Sequence, residues 1–288
     1  MLGKRNALGV AVGLLATLAA HSFDWPQTEI ASSSFYSYFG QLRGGTLSPS
    51  LVFTESDDVK AADNGRVIIA LSEHDESDLF ESTLGNAVII AHKDDLLTVY
   101  ANLSAGEQEE RETITTVYAG ATLGTCSNSG WQEGQGCLEF QVVDTKNKSF
   151  INPRVLMPRF GQELELDLRG ITVTNRKGTP FTLGVQRSLA AGAYAIYKQR
   201  QERAMPYRTA VYINGVLTQV ISYDRLVQTE RKLCTSGQKH YDVAQLYPDS
   251  KRVLLGEVNL PHGRNTLTLA VTDILGTEKT ITYTLDAR

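Results

Sequence analysis

Histidine and cysteine are scarce in this chain, five and three among 288 residues. Chemistry that runs through a metal, an imidazole or a thiolate draws on those side chains, so few such arrangements remain open. There is no G-x-S-x-G elbow, no H-E-x-x-H pair and no phosphate-cradling loop. A basic excess is missing too: 28 Lys and Arg face 32 Asp and Glu, a formal charge of −4. That balance argues against an electrostatic nucleic-acid binder, which carries a basic face. Long apolar runs are absent beyond the N-terminus. There, Lys4 and Arg5 precede the uncharged run Ala7 to Ala20, and small or polar residues follow before Asp24. A membrane span needs about 20 apolar residues. The pattern instead predicts a secretory signal peptide over 1–22, cleaved between Ala20 and Phe23. No cysteine stands near that exit, so a lipoprotein anchor is not expected. The product is an exported protein, periplasmic or associated with the cell envelope, with no membrane span after cleavage.

Three cysteines allow one intramolecular pair in an exported protein. Cys126 and Cys137 flank a glycine-rich loop between what should be neighbouring antiparallel strands, which makes them the natural candidates. Such a bridge contributes about 2–3 kcal/mol in the chain-entropy model. Two small buried thiols are the alternative, and Cys234 is left free or intermolecular in either case.

What the chain does have is short strands. Cys137 to Val143 alternates as a strand with one buried face, and Ala87–His92 and Leu96–Leu103 read likewise, with Lys93-Asp94-Asp95 turning between them. Val59 to Ala70 reads as a hairpin about Asn64-Gly65. Leu71 to Leu84, with five acidic residues and His74, reads as a solvated loop. Beyond Pro158 alternation persists in Leu164–Leu168, Tyr207–Ile213, Leu267–Val271 and Thr280–Leu285, with a tight turn at Asn214-Gly215 and another at Gly276. Leu189 to Arg203 admits a helix, though Gly192 and its aromatics favour a strand. So many short strands in about 125 residues indicate a β-sandwich.

The order of motifs between residues 35 and 158 resembles the lysostaphin and LytM-type zinc endopeptidases, which cut peptidoglycan crosslinks. That family carries a G-N-x-V-x-I-x-H strand, here Gly85 to His92. It carries Y-x-H-L, here Tyr100-Ala101-Asn102-Leu103, and a G-x-x-I-G turn, here Gly120 to Gly124. Its closing G-x-H-L-H-F-E strand appears as Cys137-Leu138-Glu139-Phe140-Gln141. Ile151-Asn152-Pro153 to Met157-Pro158 resembles its final segment. The resemblance implies an all-β chain. A LytM-like, duplicated-hybrid-motif-like sheet domain spans 23–160, and a β-sandwich similar to Ig-like modules of bacterial surface proteins spans 161–288.

It also implies where catalytic residues should stand. The family's zinc ligands are a His and an Asp four apart, then the second His of His-Leu-His. Counting back thirteen and nine residues from Val59 puts the first two at Thr46 and Ser50. The third is Glu139, and the two helper histidines fall on Asn102 and Cys137. Glu139, Cys137 and Asp57 or Asp58 are nominal ligand types, but a bonded cysteine is unavailable and one carboxylate on a strand holds zinc poorly. His92 is expected to pack against the Asp94-Asp95 turn, and His74, His240 and His262 carry no partner spacing. The scaffold with its chemistry replaced implies a pseudoenzyme without a cofactor, its degenerate cleft (Thr46, Ser50, Asn102, Cys137, Glu139) kept for binding. The expected role is to bind peptidoglycan or to regulate a separate cell-wall hydrolase, as degenerate relatives do through the former cleft. The net negative charge argues weakly against simple attraction to anionic wall polymers. The alternatives are a structural or adhesive surface protein that uses its sandwich, and an active zinc endopeptidase with a relocated site.

Overall fold

A computed structural model describes residues 23–55, 57–72, 82–105, 115–130 and 137–288. The leader assigned to 1–22 and His74 lie outside these. Among the described residues the chain is nearly all β, with two four-residue helices. The first half holds β1 (Phe35–Ser37), β2 (Leu42–Arg43), β3 (Thr46–Leu47), β4 (Ser50–Phe53), β5 (Asp58–Lys60) and β6 (Gly65–Leu71). It continues with β7 (Ala87–Ala91), β8 (Leu96–Ala101), β9 (Thr116–Val117), β10 (Thr122–Thr125), β11 (Glu139–Asp144), β12 (Ser149–Ile151) and helix α1 (Pro153–Leu156). The second half holds β13 (Thr172–Asn175), β14 (Pro180–Thr182), β15 (Ser188–Leu189), β16 (Gly192–Gln199), β17 (Arg208–Ile213) and β18 (Val216–Thr229). After these come β19 (Lys232–Ser236), α2 (Val243–Leu246), β20 (Arg252–Leu260), β21 (Gly263–Thr272) and β22 (Glu278–Ala287).

β11 organises the first half. Along one edge it pairs with β8 from Glu139 opposite Ala101 to Asp144 opposite Leu96. Its other edge is shared: β4 takes Glu139 to Gln141, and β12 takes Val142 to Asp144. Beneath it lies an aromatic core. Tyr100 is fully buried with its ring 5.1 Å from Phe140, and its oxygen accepts the Ala62 N–H at 2.7 Å. Burial pushes that phenol up to about 12.

In the second half, β14-β13-β16-β20 forms one sheet, and β18, β17, β21, β22 and β15 form the other. They face each other over Ile196, Val211, Val258, Leu267 and Leu269, as the alternating strands require. Asn214 and Gly215 both adopt positive φ (50° and 79°) and close the β17–β18 hairpin as read. Leu189 to Arg203 contains strand β16, not a helix.

Three local expectations are corrected. Asn64-Gly65 is no hairpin turn: β5 pairs with β10, while β6 pairs with β7 and β9. Neither residue has the positive φ that such a turn requires. Leu164–Leu168 alternates in burial but joins no sheet. His92 packs its ring on Phe23 at 5.1 Å, with Nδ1 at the Asn64 carbonyl (2.9 Å) and Nε2 at the Thr98 hydroxyl (2.7 Å).

The two halves are joined by more than chain connectivity. β12 pairs with β18 from Ser149 opposite Val227 to Ile151 opposite Arg225, so one sheet runs through both. Tyr223, Leu226, Tyr241 and Tyr247 of the second half are buried in the same core as Phe35, Phe39 and Phe140 of the first.

Candidate functional site

The β2–β3 hairpin carries Arg43 and Thr46, which are paired across it. β4 carries Ser50 beside β11, with Ser50 opposite Gln141 and Val52 opposite Glu139. This register brings two of the five replaced positions into contact: the Ser50 hydroxyl donates to Glu139 Oε1 at 2.9 Å. Gln141 Nε2 donates to the same oxygen at 3.0 Å. Ser48 stands behind, its hydroxyl 3.2 Å from that of Ser50.

By sequence, Arg43 belongs to a turn with Gly44 and Gly45. Its Nη1 lies 2.8 Å from Glu139 Oε2 and 3.4 Å from Ser50 Oγ. One guanidinium nitrogen therefore reaches the groups at two positions where the resemblance expects metal ligands. A carboxylate only 6% exposed needs such a partner, because an unpaired buried charge costs several kcal/mol. A signal for it was present: Arg43 is the only Lys or Arg between Arg5 and Lys60.

Arg43, Thr46, Pro49, Leu84, Glu139 and Gln141 are among the residues lining a groove of about 740 Å³, while Ser50 is fully buried and outside its lining. Thr46 is exposed at its edge. Asn102 and Cys137 lie behind the groove, in the scaffold. Cys137 is bonded to Cys126 with Cα atoms 5.7 Å apart, while Cys234 is free and buried, its thiol pushed up by burial. Asn102 holds a left-handed conformation (φ 68°) that asparagine tolerates better than most residues. Its Nδ2 donates to the Cys137 carbonyl at 2.7 Å and its Oδ1 accepts the Gly130 N–H at 2.8 Å. Its backbone N–H donates to Leu84 and its carbonyl accepts from Ser127, both at 2.8 Å. Through its side chain and its backbone together, this one buried residue ties the end of β8 to three neighbouring segments.

Residues 50–153 match the profile of peptidase family M23. An uncharacterized protein of Treponema pallidum (strain Nichols) is 34% identical over 119 residues, covering 38% of this chain and 79% of that protein. The chain belongs to peptidase family M23. A second profile, which carries no description, matches residues 165–288. Among solved structures, the M23 chain is similar to the catalytic domain of EnpA, a prophage-encoded M23 protein of Enterococcus faecalis. That match has 21% identity, covers 41% of this chain and 86% of that one, and has a TM-score of 0.32. Lysostaphin is similar at 16% identity over 92% and 91% of the two chains, with a TM-score of 0.35. A zinc-containing peptidase of Vibrio cholerae is similar at 18% identity over 42% and 36%, with a TM-score of 0.30.

The M23 groove of this chain does not fit the zinc that its family resemblance implies. Among the described residues no three His, Cys, Asp or Glu side chains come together as a ligand group. The donors at the replaced positions are hydroxyls, an amide already bonded to backbone, a disulfide sulfur and one carboxylate set against Arg43. A cation brought to Glu139 would have to displace the guanidinium and would then meet mostly neutral oxygens, which hold zinc weakly.

Proposed function

We propose that this protein is an M23-fold envelope protein without peptidase activity, which binds peptidoglycan in the former catalytic groove or regulates a separate cell-wall hydrolase there. The observation that carries this reading is the Arg43–Glu139–Ser50 contact, in which a guanidinium meets the side chains at two positions where the resemblance expects metal ligands. A positive charge is kept at the centre of the groove, but it cannot lower the pKa of a bound water as zinc does. What remains is an open groove with Arg43, Glu139 and Gln141 on an otherwise largely apolar lining, able to accept an extended peptide.

Co-sedimentation of residues 23–288 with purified peptidoglycan sacculi tests the reading. The protein should pellet with sacculi, release no soluble wall fragments and retain less than stoichiometric zinc after dialysis. Thr46→Trp, a change at an exposed residue on the groove edge, should weaken pelleting by about tenfold, equivalent to some 1.4 kcal/mol. About one zinc per chain, or wall cleavage, would overturn it. Failure to pellet, with capture of a wall hydrolase instead, would leave only the regulatory form.

A second reading, a structural or adhesive protein that works through an Ig-like sandwich, draws on one observation. Val216, Leu217 and Val220 on the β17–β18 hairpin are 65%, 50% and 41% exposed. Apolar side chains gathered on one hairpin suit a partner surface. Loss of function on Leu217→Ser with sacculus binding intact would favour it.

A further inference from the structure

A second cavity of about 650 Å³ opens where the two halves meet, and Arg43 lines both it and the groove. Its charged lining is one-sided: Arg43, Arg200, Arg203, Lys251 and Arg252 stand against Glu202. The chain as a whole is acidic, at −4, so this concentration runs against its composition. Two of the five cations are already matched. Arg43 faces Glu139, and Arg252 pairs with Asp249 at 2.8 Å while lying over the Tyr197 ring. Among the described residues no carboxylate lies within ion-pair distance of Arg200, Arg203 or Lys251.

The cations are held, not scattered. The Arg200 N–H donates to the Lys251 carbonyl at 2.7 Å, joining the segment after β16 to the one before β20. The Arg200 guanidinium lies over the buried Tyr247 ring at 5.9 Å, and Tyr247 in turn donates to the Gly40 carbonyl at 3.0 Å. Arg200 Nε is buried and has no hydrogen-bond partner among the described residues. Gln41 Nε2 donates to the Glu202 carbonyl at 3.1 Å, which fixes the first half against this rim.

We infer that this junction cavity binds the carboxylates of an acidic peptide whose adjoining part lies in the groove. The inference rests on the peptide-binding reading of that groove. Three features select the ligand. The three unmatched cations come from two separate segments of chain, which suits carboxylates spaced along a peptide better than one compact tetrahedral anion. Arginine binds carboxylates through paired N–H donors, and two of the three are arginines. Arg43 is shared by both cavities, so a single extended ligand passes from one to the other.

The test measures binding of fluorescently labelled soluble peptidoglycan fragments to residues 23–288 at fixed ionic strength. Fragments with free peptide carboxyls are compared with the same fragments after carbodiimide amidation. Amidation should weaken binding about tenfold, and the double change Arg203→Gln with Lys251→Gln should weaken the native fragments by a similar factor. The double variant should bind amidated fragments as the wild type does. Both residues are exposed, so the fold should persist, with circular dichroism as the check. Equal binding of native and amidated fragments would overturn the inference and leave the groove reading standing. No binding of either form would overturn both. Displacement by millimolar inorganic phosphate beyond its ionic-strength effect would overturn the peptide assignment in favour of a phosphate ligand.

Discussion

Glu139 and Arg43 show how a buried charge is balanced from within the chain. Glu139 is buried, so its carboxylate needs a cation close by, and Arg43 supplies it. Arg43→Ala should therefore destabilise the protein by about 1–3 kcal/mol, below the range for a fully buried pair because Arg43 is partly exposed. Glu139→Gln in the Arg43→Ala background should recover most of that loss. Urea unfolding of the four forms completes the cycle, and additive effects would mean that the pair is not coupled. Asn102→Ala removes two hydrogen bonds to buried backbone groups and should cost about 2–4 kcal/mol. At this scale the strands that carry these residues were legible, because Leu96–Leu103 and Cys137–Val143 alternate and contain β8 and all but the last residue of β11. Their side-chain partners were not. Arg43 sits 96 positions from Glu139, and nothing in the local pattern of Gln41-Leu42-Arg43-Gly44-Gly45 distinguishes a turn arginine from one aimed at a carboxylate.

Two Asn-Gly pairs separate what an element's sequence determines from what its neighbours determine. Asn214-Gly215 turns a hairpin with positive φ at both residues. Asn64-Gly65 does not, because tertiary contacts claim it: the Asn64 carbonyl meets His92 and its side-chain oxygen accepts the Ala119 N–H at 3.0 Å. Gly65 is needed for closeness instead of turning. A Cβ there would lie 2.4 Å from Ile90 Cγ2 and 2.7 Å from the Ala91 carbonyl oxygen. Gly65→Ala should therefore lower stability by about 1–3 kcal/mol through overpacking against β7. An unchanged thermal midpoint would show that β6 and β7 can separate without cost. The same contrast explains Leu164–Leu168: alternation reports one buried face, not a ladder of hydrogen bonds, and this segment buries Leu166 and Leu168 without strand partners.

On the scale of the whole molecule, the sequence divides at about residue 160 because the family motifs end there, but the sheet does not divide. Pairing of Phe150 with Leu226 joins residues 76 apart, and no periodicity announces it. The average charge likewise hid the basic cavity at the same junction. The seam has its own ion pair, Arg225 Nη1 to Asp144 Oδ2 at 3.2 Å, with the Asn152 N–H donating to the Asp224 carbonyl nearby. Burial alone would raise the Asp144 carboxyl. Hydrogen bonds from the Asn147 side chain and backbone, together with the Arg225 cation, outweigh it and hold the group below its ordinary value of 3.8. A carboxyl depressed in the folded state binds fewer protons than in the unfolded state near and just below that value. Its contribution is therefore fully present above about pH 4 and is lost as pH falls through the lower folded value. Asp144→Asn should be less stable than the wild type at pH 6, and the difference should shrink as pH falls from about 4 to 2. Urea midpoints measured across that window check the sign. A gap that stays constant would mean that the Asp144 charge does not couple to folding, so that the β12–β18 seam is held by its backbone pairing and its apolar core alone.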